Sequence, residues 1–148
     1  MESDNKWHLR FLEVAKLIST WSKDPRTKVG AVIVNPRKNK IIATGYNGFP
    51  RFMIDKEEDY LDRLKKTKYT VHAELNAILN AEMSVDGCFI YCTHTPCFDC
   101  AKAIVQSGID RVFASEIFHS PEQNHDFEEI KQYLNDNGIK LKVLDVHR

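Results

Sequence analysis

Apolar residues near the start of the chain recur every three or four positions, the spacing of one face of an α-helix. This face comprises Trp7, Phe11, Val14, Leu17, Ile18 and Trp21. The pattern predicts an amphipathic helix that ends near the SKDPR segment. Two β-branched runs follow, KVGAVIVN and KIIATGYN, joined by the turn-forming NPRKN. They predict a β-hairpin, and GYNGFP then breaks regular structure.

The second half of the chain alternates between helical and strand patterns. Residues 71–83 place Val71, Leu75, Ile78 and Leu79 on one face. We therefore predict a largely buried helix with Leu75, Ile78 and Leu79 anchored in the core. Further helices are predicted at CFDCAKAIVQSG, closed by Gly108, and at PEQNHDFEEIKQYLNDNG, with Pro121 near its start and Gly138 at its end. Strands are predicted at CFIYCT, IDRVFAS and IKLKVLDV.

The element order predicts an α/β fold with a central sheet of about five strands and helices on both faces. The charged residues 55–66 fit either a surface helix or a flexible flap. The 148 residues contain no repeat or linker, so we expect a single domain over residues 1–148.

Composition narrows the function classes. Twenty-one basic residues balance twenty-one acidic ones, which argues against non-specific nucleic-acid binding and favours a small polar substrate. The sequence shows no signal-peptide pattern and no apolar run of membrane-spanning length. We therefore expect a cytoplasmic protein with no membrane partner, whose four cysteines are thiols or metal ligands.

Two short motifs are candidates for a metal site. A lone histidine on an apolar helix, such as His72, is more often structural, and the Cys97-x-x-Cys100 pair alone could be redox-active, half of a zinc site or accidental. If the two helix starts meet, His72, Cys97 and Cys100 supply one nitrogen and two thiolates for Zn²⁺. The open fourth position would hold water, and Glu74 could take its proton.

Two other uses of these cysteines compete with that interpretation. A closed zinc knuckle could use Cys92 or His94 as its fourth ligand. However, Cys88 and Cys92 share one strand face with Ile90, so we expect them to pack as small hydrophobic residues. A thioredoxin-like redox pair would leave the His-x-Glu motif unexplained.

The combination His72-x-Glu74 and Pro96-Cys-x-x-Cys100 matches the signature of zinc-dependent nucleobase deaminases. With DPRTKVGAVIV, IIATGYNGFPR, VHAELNAI and PCFDCAKAIVQSGIDRV, the chain resembles the deoxycytidylate (dCMP) deaminases over residues 7–145. The resemblance implies a three-layer α/β/α cytidine-deaminase-like fold with a mixed sheet. It also implies hydrolysis of dCMP to dUMP and ammonia, which supplies dUMP for thymidylate synthesis. A hexamer is implied as well, with activation by dCTP and inhibition by dTTP, each accompanied by Mg²⁺.

The resemblance also suggests roles for individual residues. Glu74 would move the water proton to N3 of cytosine and then to the leaving amino group, and the backbone at Ala73 would hold the base. Asn47 is a candidate for the sugar or base, although it could be a plain turn asparagine. For the 5′-phosphate we expect Arg26 with help from Thr27 and Lys28, unless these are solvated loop residues. The last candidate is His119, at the pocket mouth.

The sequence departs from the family pattern at two places. Many relatives carry extra Cys and His residues after the GYNG turn for a second, structural zinc, whereas FPRFMIDKEEDY has neither. We therefore predict one zinc per chain. Phe118 stands where relatives often have tyrosine, so a contact through that hydroxyl is lost. Effector control would involve Asn47, Gly48 and Lys28 with residues 55–66. The rival hypotheses are a free-nucleoside or tRNA deaminase and a non-catalytic zinc- or nucleotide-binding module.

Overall fold

The computed structural model describes residues 2–120 and 124–146, with side chains from residue 5 onward. The helices are α1 (Glu2–Ser19), α2 (Glu57–Leu61), α3 (Arg63–Tyr69), α4 (Ala73–Asn80), α5 (Phe98–Ser107) and α6 (Phe127–Asp136). The strands are β1 (Gly30–Asn35), β2 (Lys40–Tyr46), β3 (Phe89–His94), β4 (Arg111–Glu116) and β5 (Lys140–Val143). Within these residues, no helix is long and apolar enough to cross a membrane.

The five strands form one mixed sheet in the order β2-β1-β3-β4-β5. Strand β1 pairs antiparallel with both β2 and β3, whereas β3, β4 and β5 run parallel. A short turn suffices for the β1–β2 hairpin, while the parallel pairs need the crossover helices α5 and α6. The predicted fold class, a five-stranded mixed sheet flanked by helices, is confirmed.

Alternation along the strands divides the core between the two faces of the sheet. One face packs on α1 and contains Phe11, Leu12, Ala15, Ile18, Val32, Val34, Tyr91 and Phe113. The other face packs on α4, α5 and α6 and includes Ala31, Ile33, Ala73, Ala77, Ile90, Ala101, Ile104, Val112, Ile130 and Leu134. Cys88 and Cys92 lie in this second cluster, which confirms that they pack as small hydrophobic residues.

Two of the predicted core faces were wrong in detail. In α1, Trp7 and Leu17 are exposed while Leu12 is buried, so the buried stripe is rotated from the one predicted. In α4, Leu75 is 36% exposed and Leu79 68% exposed. The core side of α4 consists instead of Ala73, Glu74 and Ala77.

The close approach of α4 to the sheet explains this choice of small residues. A Cβ atom added at Gly45 in β2 would lie 2.4 Å from the backbone nitrogen of Ala77 and 2.5 Å from the carbonyl oxygen of Ala73. The helix backbone therefore lies directly on the strand, and a leucine would not fit between them. Leu75 and Leu79 are turned away from the sheet for this reason, whereas Ile78 is half-buried and packs against the core as predicted.

Three further element predictions have clear outcomes. Helix α5 ends at Gly108, whose left-handed φ of 87° confirms the predicted stop. Helix α6 begins at Phe127 rather than beside Pro121, because Asp126 caps it by accepting the Glu129 N–H at 3.2 Å. Pro121 itself lies outside the described residues. The charged residues 55–66 fall mainly in α2 and α3, which favours the surface-helix alternative over the flap.

Candidate metal and catalytic site

The starts of α4 and α5 converge on one point. His72 is the N-cap residue of α4 and Cys97 that of α5. The His72 Nδ1 atom lies 3.3 Å from the Cys100 Sγ atom and 3.4 Å from the Cys97 Sγ atom. One ligand atom from each of the three residues lies within 4.8 Å of the others. The structure thus brings the three predicted ligand residues together.

The chemistry of these three side chains fits a bound cation. Hydrogen bonds from Cys100 and His72 lower the pKa of the Cys97 thiol to about 4. The same hydrogen bond with Cys97, together with burial, raises the pKa of Cys100. Two adjacent thiolates repel each other unless a positive charge lies between them. An imidazole nitrogen and two sulfurs at these distances are a ligand set that Zn²⁺ accepts.

The alternative ligands do not join this group. Cys92 is fully buried in the core. The Nδ1 atom of His94 lies 2.8 Å from the Thr93 Oγ1 atom, and its Nε2 atom lies 3.5 Å from a Glu116 carboxylate oxygen. Across residues 2–120 and 124–146, the group of His72, Cys97 and Cys100 is the one set of three or more such side chains close enough to hold a metal ion.

Glu74 lies in the first turn of α4, with only 5% of its surface exposed. Burial raises the pKa of its carboxyl to about 7, and the positive charge of His72 acts in the opposite direction. A carboxyl group that titrates near neutrality can both accept and donate a proton. Glu74 is therefore chemically suited to proton transfer, beside the group formed by His72 and the two cysteines.

The turn that contains Asn47 is tied directly to this site. Gly48 and Val71 exchange backbone hydrogen bonds of 2.8 Å and 3.1 Å, so the turn lies next to His72. The buried Asn47 side chain accepts the Val29 N–H at 2.8 Å and donates to the Thr27 carbonyl oxygen at 2.9 Å. Asn47 thus holds the loop before β1 in place, and its contact with substrate stays a prediction.

The candidate phosphate residues lie on that same loop. The Arg26 side chain is exposed, and its backbone N–H donates to Asp24 Oδ1 at 2.9 Å. The Thr27 N–H donates to the same oxygen at 3.2 Å, while Lys28 Nζ donates to the Ser22 carbonyl oxygen. The loop backbone is well fixed, and the Arg26 guanidinium is available to a ligand.

The other two candidates differ in burial. Ala73 is buried, and as the first residue of α4 its N–H belongs to the helix turn without intrahelical partners. His119 is exposed, and its Nδ1 atom accepts the Phe127 N–H at 3.3 Å. The substrate contacts of both residues stay predictions.

The sequence pattern places His125 inside a helix, whereas it lies before α6. Its ring packs against Phe118 with centroids 4.5 Å apart, and burial lowers the pKa of its imidazole against the opposing charge of Cys97. The buried His125 Nδ1 atom has no hydrogen-bond partner among the described residues. The neighbouring Asn124 accepts the Phe98 N–H at 3.0 Å, which ties this segment to the start of α5. No spacing in the sequence signals this position.

The sequence of residues 5–116 matches the family model of the cytidine and deoxycytidylate deaminase zinc-binding region. The chain belongs to this family. Its members bind zinc in this region, in agreement with the geometry of His72, Cys97 and Cys100. Family membership also removes the thioredoxin-like redox interpretation of the two cysteines.

Individual relatives agree with this assignment. An uncharacterized deaminase from the luxG 3′ region of Aliivibrio fischeri is 44% identical over 94% of this chain and 84% of its own length. The human deoxycytidylate deaminase is 42% identical over 80% of this chain and 70% of its own. The dCMP deaminase of cyanophage S-TIM5, whose crystal structure contains dCMP and dUMP, is 27% identical in sequence to this chain. The two structures superpose with a TM-score of 0.74 over 91% of this chain and 94% of the phage chain.

Proposed function

We propose that the protein is a zinc-dependent hydrolase that converts dCMP to dUMP and releases ammonia. The observation that carries this proposal is the group of His72, Cys97 and Cys100 beside the buried carboxyl of Glu74. A structural metal site would not need a carboxyl group at that place. The substrate is inferred from relatives named deoxycytidylate deaminase and from the phage enzyme bound to dCMP and dUMP.

In the proposed mechanism, His72, Cys97 and Cys100 would hold a zinc ion, which would act as the Lewis acid that activates water. The carboxylate of Glu74 takes a proton from the water and delivers it to N3 of cytosine, which makes C4 electrophilic. Once the water oxygen has bonded to C4, Glu74 moves the remaining hydroxyl proton to the amino group, and the C4–N bond breaks to release ammonia. The pKa of about 7, raised by burial, equips this carboxyl for both directions of transfer.

The substrate would lie between the α4 start and the loop before β1. The backbone N–H of Ala73 would contact the base, and the Asn47 side chain would contact the sugar or the base. Arg26 and Thr27 would bind the 5′-phosphate, with His119 at the mouth. The fixed backbone of the Arg26 loop and its link to the Asn47 turn support this arrangement.

Regulation and assembly extend the proposal. The effectors dCTP and dTTP, with Mg²⁺, would act near Asn47, Gly48 and Lys28, and dUMP would feed thymidylate synthesis. We also propose a homo-oligomer, a hexamer by resemblance to the family. Exposed Leu75 and Leu79, four residues apart on α4, support an interface there.

An ammonia-release assay on dCMP, CMP, deoxycytidine, adenosine and tRNA tests the substrate. We expect dCMP to give the highest kcat/KM, and deoxycytidine to be poorer because it cannot use Arg26. A preference for deoxycytidine or tRNA would favour the rival deaminases. No turnover of any substrate by zinc-loaded protein would favour a non-catalytic binding module.

A further inference from the structure

The charged residues 55–69, which contain α2 and α3, lie against both loops that carry the proposed substrate contacts. We call this segment the strap. Most of its residues are exposed, as its charge predicts. Three side chains are largely covered: Tyr60 is buried, Lys66 is 23% exposed, and Asp59 is 13% exposed but pairs with Lys65 inside the strap. Tyr60 and Lys66 connect the strap to the site, and a more exposed ion pair of Asp55 with Lys23 also joins it to the loop before β1.

The first connection is a buried ion pair. Asp24 is fully buried, and its Oδ2 atom lies 2.8 Å from the Lys66 Nζ atom. The other oxygen, Oδ1, accepts the backbone N–H groups of Arg26 and Thr27 at 2.9 Å and 3.2 Å. A single carboxylate therefore joins α3 to the backbone of the proposed phosphate loop. Without Lys66 this buried charge would lose its compensating partner.

The second connection reaches the Asn47 turn. The Tyr60 hydroxyl donates to Asp55 Oδ1 at 3.0 Å and accepts the Phe49 N–H at 3.2 Å. The Tyr60 ring also stacks on Phe49 with centroids 4.0 Å apart. Because the Ser22 hydroxyl donates to the Asn47 carbonyl oxygen at 2.8 Å, the turn and the phosphate loop form one connected unit.

We propose that Lys66 is a positioning residue for substrate binding and that it acts through Asp24. Lys66 fixes the carboxylate, the carboxylate fixes the backbone at Arg26 and Thr27, and the backbone directs the Arg26 guanidinium toward the 5′-phosphate. The role rests on the function proposed above. When the loop is already ordered in the free protein, substrate binding does not lose the conformational entropy of ordering it. Loss of Lys66 therefore weakens binding of the phosphorylated substrate rather than the chemical step.

The kinetic test compares Lys66→Met with Lys65→Met. Lys65 makes an ion pair of similar length, 2.9 Å, with Asp59 inside the strap and is the matched control. For Lys66→Met we expect the KM for dCMP to rise about tenfold, with kcat changed less than about twofold. Turnover of deoxycytidine, which has no phosphate, should change little. Lys66→Arg should restore most of the affinity, and Lys65→Met should behave as wild type.

Hydrogen exchange provides a readout that needs no substrate. The amides of Arg26 and Thr27 donate to Asp24, so we expect faster exchange at both in Lys66→Met and unchanged exchange in Lys65→Met. If the wild type does not act on dCMP, the proposed function fails. The exchange rates of these two amides would still show whether Lys66 orders the loop. The double variant Asp24→Asn/Lys66→Met leaves no unpaired buried charge, and it should show the same rise in KM.

Two results would overturn the positioning role. The first is a folded Lys66→Met protein, or a folded double variant, whose KM for dCMP and amide exchange rates equal those of wild type. The other is an equal loss of kcat/KM for dCMP and deoxycytidine, in parallel with a lower melting temperature. That outcome would make the ion pair a purely structural one.

Discussion

The Nδ1 atom of His72 lies 3.3 Å from the Sγ atom of Cys100, although the two residues are 28 positions apart. They meet because α4 and α5 pack on the same face of the sheet and begin at the same edge. His72 lies at the start of α4, and both cysteines lie at the start of α5. Because both helices are also held by the apolar core, the loss of one proposed ligand should open the site without unfolding the chain.

Replacement of a proposed ligand should release the metal. In Cys100→Ala, we expect zinc affinity to fall by more than about 100-fold, beyond what loss of a supporting partner costs. Metal analysis by mass spectrometry on purified protein measures this. Cys88→Ala is the matched control, because Cys88 is also a buried cysteine but lies outside the ligand group. Equal zinc content in the two variants would exclude Cys100 as a ligand.

The same measurement tests the number of zinc ions. We predict one zinc per wild-type chain, since the FPRFMIDKEEDY segment contains no Cys or His. Two tightly bound zinc ions per chain would contradict this prediction. A second site of that kind should also survive the Cys100→Ala substitution.

Gly45 should be intolerant of any side chain. The Cβ atom of Gly45→Ala would lie 2.4 Å from a backbone nitrogen of α4, so the helix must shift. We expect a loss of roughly 1–3 kcal/mol in the free energy of unfolding. Activity should fall as well, since α4 carries Glu74. Gly48→Ala is the control for urea unfolding, because its Cβ atom would meet only the Tyr60 hydroxyl, at 3.5 Å. Equal stability of the two variants would contradict the close packing.

Asn47 should matter for stability as well as for substrate. Asn47→Ala leaves the partly buried Val29 N–H and Thr27 carbonyl without their partner. We expect a loss of about 2 kcal/mol in the free energy of unfolding. Asn80→Ala is the control, because the Asn80 side chain also donates to a backbone carbonyl, that of Thr44, but is exposed. If Asn47→Ala were as stable as wild type but had a raised KM, Asn47 would contribute to substrate binding and not to stability.

The exposed side of α4 tests the proposed assembly. Leu79→Glu places a charge on the exposed side of α4 beside Leu75 and should shift the protein to smaller species in sedimentation velocity. Leu64→Glu, at an exposed leucine of α3, is the matched control and should leave the assembly unchanged. A wild-type protein that is monomeric at micromolar concentration would contradict the oligomer.

Local patterns were sufficient for most of the fold. The β-branched run of β1, the turn before β2 and the Gly108 stop depend on residues close in sequence, and all three predictions hold. The exposure of Leu75 and Leu79 could not be predicted, because it depends on how closely α4 approaches Gly45 of another element. An apolar helix face does not reveal whether the sheet or another surface covers it.

In the site, too, the residues in local motifs could be predicted, whereas those that depend on contacts distant in sequence could not. The group formed by His72, Cys97 and Cys100 was predictable because its residue types and spacing are those that zinc chemistry demands. The link from Lys66 to Asp24 was not, because a lysine in a charged segment is usually solvated and its partner lies far away in sequence. His125 was hidden for a similar reason, since its position depends on where α6 begins.

The most direct measurement is the rate of dUMP formation from dCMP by wild type and Glu74→Gln, with zinc quantified in the same samples. The amide keeps the size of the side chain but cannot shuttle the proton. We predict a wild type that forms dUMP and ammonia in equal amounts. The variant should retain zinc and lose at least about a thousandfold in kcat. A zinc-loaded Glu74→Gln protein with wild-type turnover would contradict the account.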